Sequence, residues 1–148
     1  MKLKCVISGG QTGADQTGIE CAAALGIQTG GTMPKGFRTE KGPMPMWAKK
    51  YGLVADTNWS YATRTYINAQ AADCTVWFGN VGSPGYYCTV KSCVGKPFVV
   101  NPTPDEFREL TNQYETINIA GNRESTNPGV VDQVKKVFQA LCEPNLPV

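Results

Sequence analysis

The sequence predicts an α/β domain, a three-layer sandwich built around a mostly parallel sheet. Three observations lead there. A short apolar run, Leu3 to Ser8, ends abruptly in glycines, as a buried strand does before a turn. Cys74 to Phe78 is continuously apolar or β-branched, the pattern of a strand covered on both faces. Strand-like and helix-like segments alternate along the chain, which implies parallel pairing through crossovers. The length of 148 residues fits one domain, residues 1–148, and a 41% hydrophobic content suffices for a core.

The elements follow in order. Ala14 to Leu25 is alanine-rich and free of proline, with Ile19, Ala22 and Ala23 at helical spacing and Gly26 as a stop. Ile27 to Thr29 reads as a second short strand. Gly30 to Pro45 carries four glycines and three prolines and reads as a long irregular loop of the functional kind. Leu53 to Ala55 is a minor strand. Tyr61 to Ala72 is a helix with Ala62, Tyr66, Ala69 and Ala72 on one side. Asn80 to Gly85 is a second glycine-bearing turn, and Tyr86 to Val94 a helix that Gly95 ends. Pro97 to Val100 is a strand. Thr103 caps a helix from Pro104, with Asp105 and Glu106 suited to its first turn. Thr116 to Ile119 alternates polar and apolar residues and reads as an edge strand. Asn127 and Pro128 look like a cap and first position. Val130, Val134, Val137, Phe138 and Leu141 then form one apolar helix face.

Composition narrows the function. Fourteen Lys and Arg against twelve Asp and Glu give a net charge of +2, too balanced for a dedicated binder of nucleic acid polymers. No histidine is present, which removes Ser-His and Cys-His nucleophile pairs. The six cysteines form no C-x-x-C pair, so a zinc site is not expected, and they read as reduced core thiols. No segment has the form of a signal peptide or a membrane span. A cytoplasmic protein is the expectation.

Four loops carry candidate chemistry. Ser8-Gly9-Gly10-Gln11-Thr12-Gly13-Ala14-Asp15 joins a strand to a helix, with Ser8, Gly10 and Gly13 at the offsets of G-x-G-x-x-G. Glycines there allow a phosphate close to the backbone, and a helix N-terminus supplies N–H groups and partial positive charge. Gln11 and Thr12 add donors. The turn is not a Walker A loop, because no Lys-Ser/Thr follows Gly13. A tight turn without a ligand is the competing reading. The second loop has five basic residues, Lys35, Arg38, Lys41, Lys49 and Lys50, against one acid, Glu40. It closes over an anion or is a solvated surface loop. The third, Gly82-Ser83-Pro84-Gly85-Tyr86-Tyr87-Cys88-Thr89, faces the first across the crevice where parallel sheets bind ligands. Its tyrosines suit base stacking or packing. In the fourth, Asn118 to Ser125, Asn122 and Glu124 flank Arg123, which either grips a phosphate bidentately or forms a structural ion pair.

Taken together, these segments resemble the putative molybdenum carrier family, also described as circularly permuted YpsA-like, within the SLOG superfamily. The matching stretches are Ser8 to Asp15, Gly30-Gly31, Pro34 to Gly36, Glu40 with Gly42, Thr65 to Asp73, Gly82 to Thr89, Lys96-Pro97, Asn118 to Ser125 and Pro128-Gly129, in family order. The resemblance implies a Rossmann-like sheet and a pocket for nucleotide-derived ligands. Two departures stand out. Tyr86 replaces the threonine usual after Ser-Pro-Gly, while Thr89 keeps the later one. Superfamily members that cleave nucleotide N-glycosidic bonds carry a glutamate just after this turn, whereas Tyr86 to Cys93 contains no acid.

The expected ligand-binding set is Gly9, Gly10, Gln11, Thr12, Gly13, Asp15, Lys35, Arg38, Glu40, Ser83, Gly85, Tyr86, Thr89, Asn122, Arg123 and Glu124, with no catalytic or metal-ligating residue. The leading expectation is a non-catalytic protein that carries, senses or sequesters a small nucleotide-derived signal. A nucleotide or phosphoribosyl hydrolase using Asp15, Glu40 or Glu124 is the first alternative. A carrier of molybdenum cofactor, a phosphorylated pterin, is the second. No particular cofactor is indicated, and association into a homo-oligomer stays open.

Overall fold

A computed structural model describes residues 1–142. Eight strands and six helices run in the order β1 (Cys5–Ser8), α1 (Ala14–Ala24), β2 (Gln28–Met33), β3 (Arg38–Thr39), β4 (Gly42–Pro43), α2 (Pro45–Lys50), β5 (Leu53–Ala55), α3 (Tyr61–Ala71), β6 (Cys74–Phe78), α4 (Pro84–Ser92), β7 (Phe98–Val100), α5 (Pro104–Gln113), β8 (Thr116–Gly121) and α6 (Val130–Gln139). Six strands form one sheet in the order β5-β2-β1-β8-β6-β7, and every pairing in it is parallel. β3 and β4 make a separate antiparallel hairpin. The predicted three-layer α/β architecture is the one observed. No helix among the described residues is long and apolar enough to cross a membrane.

Strand alternation sorts the two faces of the sheet. Val6, Cys74, Val76, Phe78, Ile117 and Ile119 join the main core with Ile19 and Ala22 of α1, Phe107 and Leu110 of α5, and Val130, Val134, Val137 and Phe138 of α6. Phe107 centres this layer, with ring centroids 6.4 Å from Phe78 and 5.0 Å from Phe138. Each buried Val, Ile, Leu or Phe side chain of this layer contributes about 1.5–3 kcal/mol. Gly18 lets α1 settle against β8, since a methyl group there would lie 2.7 Å from the Ile119 side chain. The opposite face, under α3 and α4, buries many polar groups, among them Thr65, Asn68, Thr75, Thr89, Ser92 and Asn118. Asn68 pins α3 to β2 by accepting from Thr32 N–H at 2.8 Å and donating to Thr32 C=O at 2.9 Å.

Several expectations need correction. β8 is not an edge strand; it lies between β1 and β6. Gly30 to Met33 is not loop but the second half of β2, held by backbone pairing to β1 and β5 rather than by its own side-chain pattern. The rest of that stretch holds a 3-10 turn at Lys35–Phe37, the β3–β4 hairpin and the start of α2. The buried side of α3 is Thr65, Asn68 and Ala69, continued by Ala72, while Tyr66 stays 54% exposed. α4 starts at Pro84, because Ser83 Oγ caps it by accepting from Tyr86 N–H at 3.2 Å. α6 starts at Val130 with Gly129, not Asn127, at its cap. The six cysteines are free among the described residues, but only Cys74 and Cys93 are buried, and Cys142 is exposed. Thr103 caps α5 as expected, and Glu106 reaches back to the Thr103 amide to complete a capping box.

Candidate functional site

β1 leads through α1 to one side of the sheet, and β6 leads through α4 to the other. Between them, at the carboxyl ends of β1, β8 and β6, opens a cavity of about 370 Å³, within the range of small-molecule sites. Residues from the glycine turn, α3, β6, α4 and the segment after β8 line it.

Its most buried polar pair is Asp15 and Arg64. Arg64 Nη1 lies 3.5 Å from Asp15 Oδ2, with side chains 12% and 3% exposed. Asp15 also accepts from Gln11 N–H at 3.3 Å. Burial raises the Asp15 carboxyl to about 6, although Arg64 and the Gln11 and Gly121 amides pull it down. Arg64 was not among the expected site residues. Its signal in the sequence is that it is the one charge between Thr57 and Ala72. Tyr61, Thr65, Trp77 and Cys88 also line the cavity without having been singled out.

The glycine turn is packed against protein. The amides of Gly10, Thr12 and Ala14 donate to Ser8 Oγ, Gln11 Oε1 and Asn122 C=O, and that of Gln11 to Asp15. Gly9 lies under the Arg64 side chain. A methyl group on Gly10 would lie 2.6 Å from Met33 Cγ, and one on Gly13 2.6 Å from the Asn122 carbonyl oxygen. Of this motif only Gln11 and Asp15 reach the cavity. The amides of Gly10, Gln11, Thr12 and Ala14 are thus spent within the protein, and at Gly9, Gly10 and Gly13 the side on which a Cβ would sit is taken up by neighbouring protein atoms.

The basic loop is also engaged elsewhere. Arg38 Nη2 donates to Trp59 C=O at 2.6 Å, and its guanidinium lies 4.1 Å from the Tyr61 ring centroid. Lys35 sits over Trp59 at 5.3 Å. Neither lines the cavity, so Arg38 reaches it only through Tyr61, which does. Glu40 does not line it either. It accepts from Thr12 Oγ1 at 2.6 Å and from Ser125 Oγ at 3.0 Å, and pairs with Arg123 Nη1 at 3.1 Å. Gln11 Oε1 accepts from Glu40 N–H at 2.9 Å, so the hairpin is fastened to the glycine turn twice. The Thr12 hydrogen bond is the main reason the Glu40 carboxyl lies below its ordinary value.

On the remaining loops, Ser83, Gly85, Thr89, Asn122 and Arg123 line the cavity, while Tyr86 and Glu124 do not. Tyr86 packs edge-on against Trp77, with centroids 5.5 Å apart. Asn122 is occupied with positioning: its Oδ1 accepts from Asn80 N–H at 2.6 Å and its Nδ2 donates to Ser83 Oγ at 3.2 Å. Glu124 accepts from Gly129 and Val131 N–H at 2.8 and 3.0 Å, capping α6, and these bonds lower its carboxyl below the ordinary value. Of the three acids named for the hydrolytic alternative, only Asp15 lines the cavity.

Comparison with known proteins adds a family and a fold. No curated protein matches the chain. A family model described as the circularly permutated YpsA SLOG family matches residues 6–142. The crystal structure of a putative molybdenum carrier protein from Syntrophus aciditrophicus SB is similar, with a TM-score of 0.83 over 96% of each chain at 24% identity. That identity supports a shared fold alone.

Proposed function

The chain belongs to the circularly permutated YpsA SLOG family, and we propose that its cavity holds a small, phosphorylated, nucleotide-derived ligand without turning it over, as a carrier, sensor or sequestering protein. The observation that carries this reading is the cavity's position. It opens at the sheet's carboxyl edge where the chain winds to opposite sides, and two arginines, Arg64 and Arg123, line it. Binding without turnover is favoured by how the acids are spent. Glu124 caps α6, Glu40 fastens the hairpin, and Asp15 is the one carboxylate among the described residues that line the cavity.

One observation favours a hydrolytic alternative. Asp15 protonates at about 6, a value suited to general acid or base work near neutral pH. The two readings separate in one experiment. A panel of nucleotides, cyclic and ADP-ribose-derived compounds and a phosphorylated pterin is screened by thermal shift. A ligand at a hundred times its dissociation constant stabilises the fold by about 2.7 kcal/mol, a rise of roughly 5–10 °C at this size. Each hit is then incubated with the protein, released by denaturation and identified by mass. Stoichiometric recovery of intact ligand is expected. Catalytic loss that Asp15→Asn abolishes establishes the hydrolase instead.

A further inference from the structure

Two buried donors, Nε1 of Trp77 and Nε of Arg64, have no hydrogen-bond partner among the described residues. Trp77 is 2% exposed, and both residues line the same cavity. Native proteins seldom leave a buried donor unsatisfied, because desolvation without a partner is costly. Two on residues that line one cavity point to an acceptor supplied from outside the chain.

The charges around them select the kind of acceptor. Arg64 is already countered by Asp15 at 3.5 Å, and Asp15 is buried while the Arg64 side chain is only 12% exposed. A phosphate placed there would add negative charge beside a buried carboxylate, where low dielectric makes like-charge contact expensive. A carbonyl oxygen or an unprotonated ring nitrogen carries no such cost. Arg123 differs on each point. Its side chain is 43% exposed, and its counter-ion Glu40 stands outside the cavity lining. It can turn to a phosphate without stranding a buried charge, since Thr12 and Ser125 continue to hold Glu40. The lining also presents aromatic surface, Tyr61 and Trp77.

We infer that the ligand enters base first: a nucleobase edge accepts from Trp77 Nε1 and Arg64 Nε at the inner end, and the phosphate stays at the mouth on Arg123. This orientation rests on the nucleotide reading above and assigns the inner end to a neutral acceptor.

The test uses the chain with its three tryptophans labelled with nitrogen-15. Their indole N–H signals are followed by NMR, and the Trp77 signal is identified by its loss in Trp77→Phe. The probes are the common nucleosides, their 5′-monophosphates, ribose 5-phosphate and inorganic phosphate. A bound nucleoside and its nucleotide should both move the Trp77 signal downfield, and ribose 5-phosphate should leave it in place. Arg64→Lys should weaken nucleoside and nucleotide alike by about tenfold, and Arg123→Ala the nucleotide alone by about tenfold. Movement of the Trp77 signal with ribose 5-phosphate or inorganic phosphate makes the inner end a phosphate subsite and overturns the inference. So does a nucleoside or nucleotide that binds, by thermal shift, with the Trp77 signal unmoved. If no nucleoside or nucleotide raises the thermal midpoint, the nucleotide reading itself fails and takes the orientation with it.

Discussion

Thr12 Oγ1 donates a 2.6 Å hydrogen bond to Glu40 Oε1, joining the glycine turn after β1 to the tip of the β3–β4 hairpin. The same carboxylate meets Ser125 and Arg123, so one side chain gathers three loops at the cavity's edge. The hairpin has only two residues per strand, too few to hold its place by pairing alone.

Glu40→Ala should therefore loosen the hairpin without unfolding the domain. Backbone amides over residues 38–43 should exchange with deuterium faster, while strand β6 amides stay protected. The partly exposed pair with Arg123 adds only about 0.2–1 kcal/mol, so global stability should change little. Unchanged exchange in the hairpin would mean that Trp59, Arg38 and the backbone hold it without Glu40.

Gly13→Ala should lower stability far more than its size suggests. Gly13 has φ of 90°, and a methyl group would lie 2.6–2.8 Å from the backbone of Asn122, Arg123 and Glu124, which cannot swing aside. Gly10→Ala has φ of 72° but meets the flexible Met33 side chain, so it should cost less. The conformational term alone is about 1–2 kcal/mol at each position, with overpacking of about 1–3 kcal/mol on top. Urea denaturation of both variants checks the order. If Gly13→Ala is as stable as the parent and loses only ligand affinity, the glycines serve the ligand rather than the packing.

The contrast between these two glycines and Arg64 shows what local sequence carries. β1 and β6 were legible because an apolar run bounded by glycine is a local pattern. The second half of β2 was not, since Gly30, Gly31 and Thr32 carry no side-chain signal and become strand through β1 and β5. β8 was found but misplaced at an edge, because strand order is set by packing between distant segments. At the site, the crevice and the turns around it followed from the alternation of elements. What fills each turn did not. Arg64 reaches Asp15 from a different helix, and nothing near either residue announces the pair. Glu124 looked like a functional acid because a carboxylate in a polar loop reads the same whether it meets a ligand or the N–H groups of the next helix.

Glu124→Ala tests that last assignment. At neutral pH the variant should melt at a lower temperature, because Gly129 and Val131 N–H lose their acceptor. Ligand affinity should be unaffected, since Glu124 does not line the cavity. The capping bonds lower the folded pKa, so their stabilisation is present above the unfolded value and is lost as pH falls through the lowered one. The gap between parent and variant should accordingly close in acid. A variant that melts like the parent but binds ligand weakly would return Glu124 to the site.

Asp15 supplies the opposite pH dependence. Burial raises its carboxyl from an ordinary 3.8 to about 6, more than Arg64 and the nearby amides can offset. Between those two values the folded chain binds more protons at this site than the unfolded chain. Asp15's contribution to stability is therefore full below the ordinary value, declines as pH rises toward 6, and is level above it. The separation corresponds to about 3 kcal/mol at the linkage rate of 1.36 kcal/mol per pH unit. Asp15→Asn removes the titration. It also leaves Arg64 without its counter-charge, but a guanidinium does not titrate in this range, so that loss is independent of pH. Glu40 and Glu124 are present in both proteins and cancel. The stability of the parent minus that of Asp15→Asn should thus fall between pH 4 and pH 7 by as much as about 3 kcal/mol, measured by urea denaturation at intervals across that range. Parallel stability curves would mean that Arg64 holds Asp15 ionised throughout, and the case for Asp15 as an acid or base near neutral pH would go with the slope.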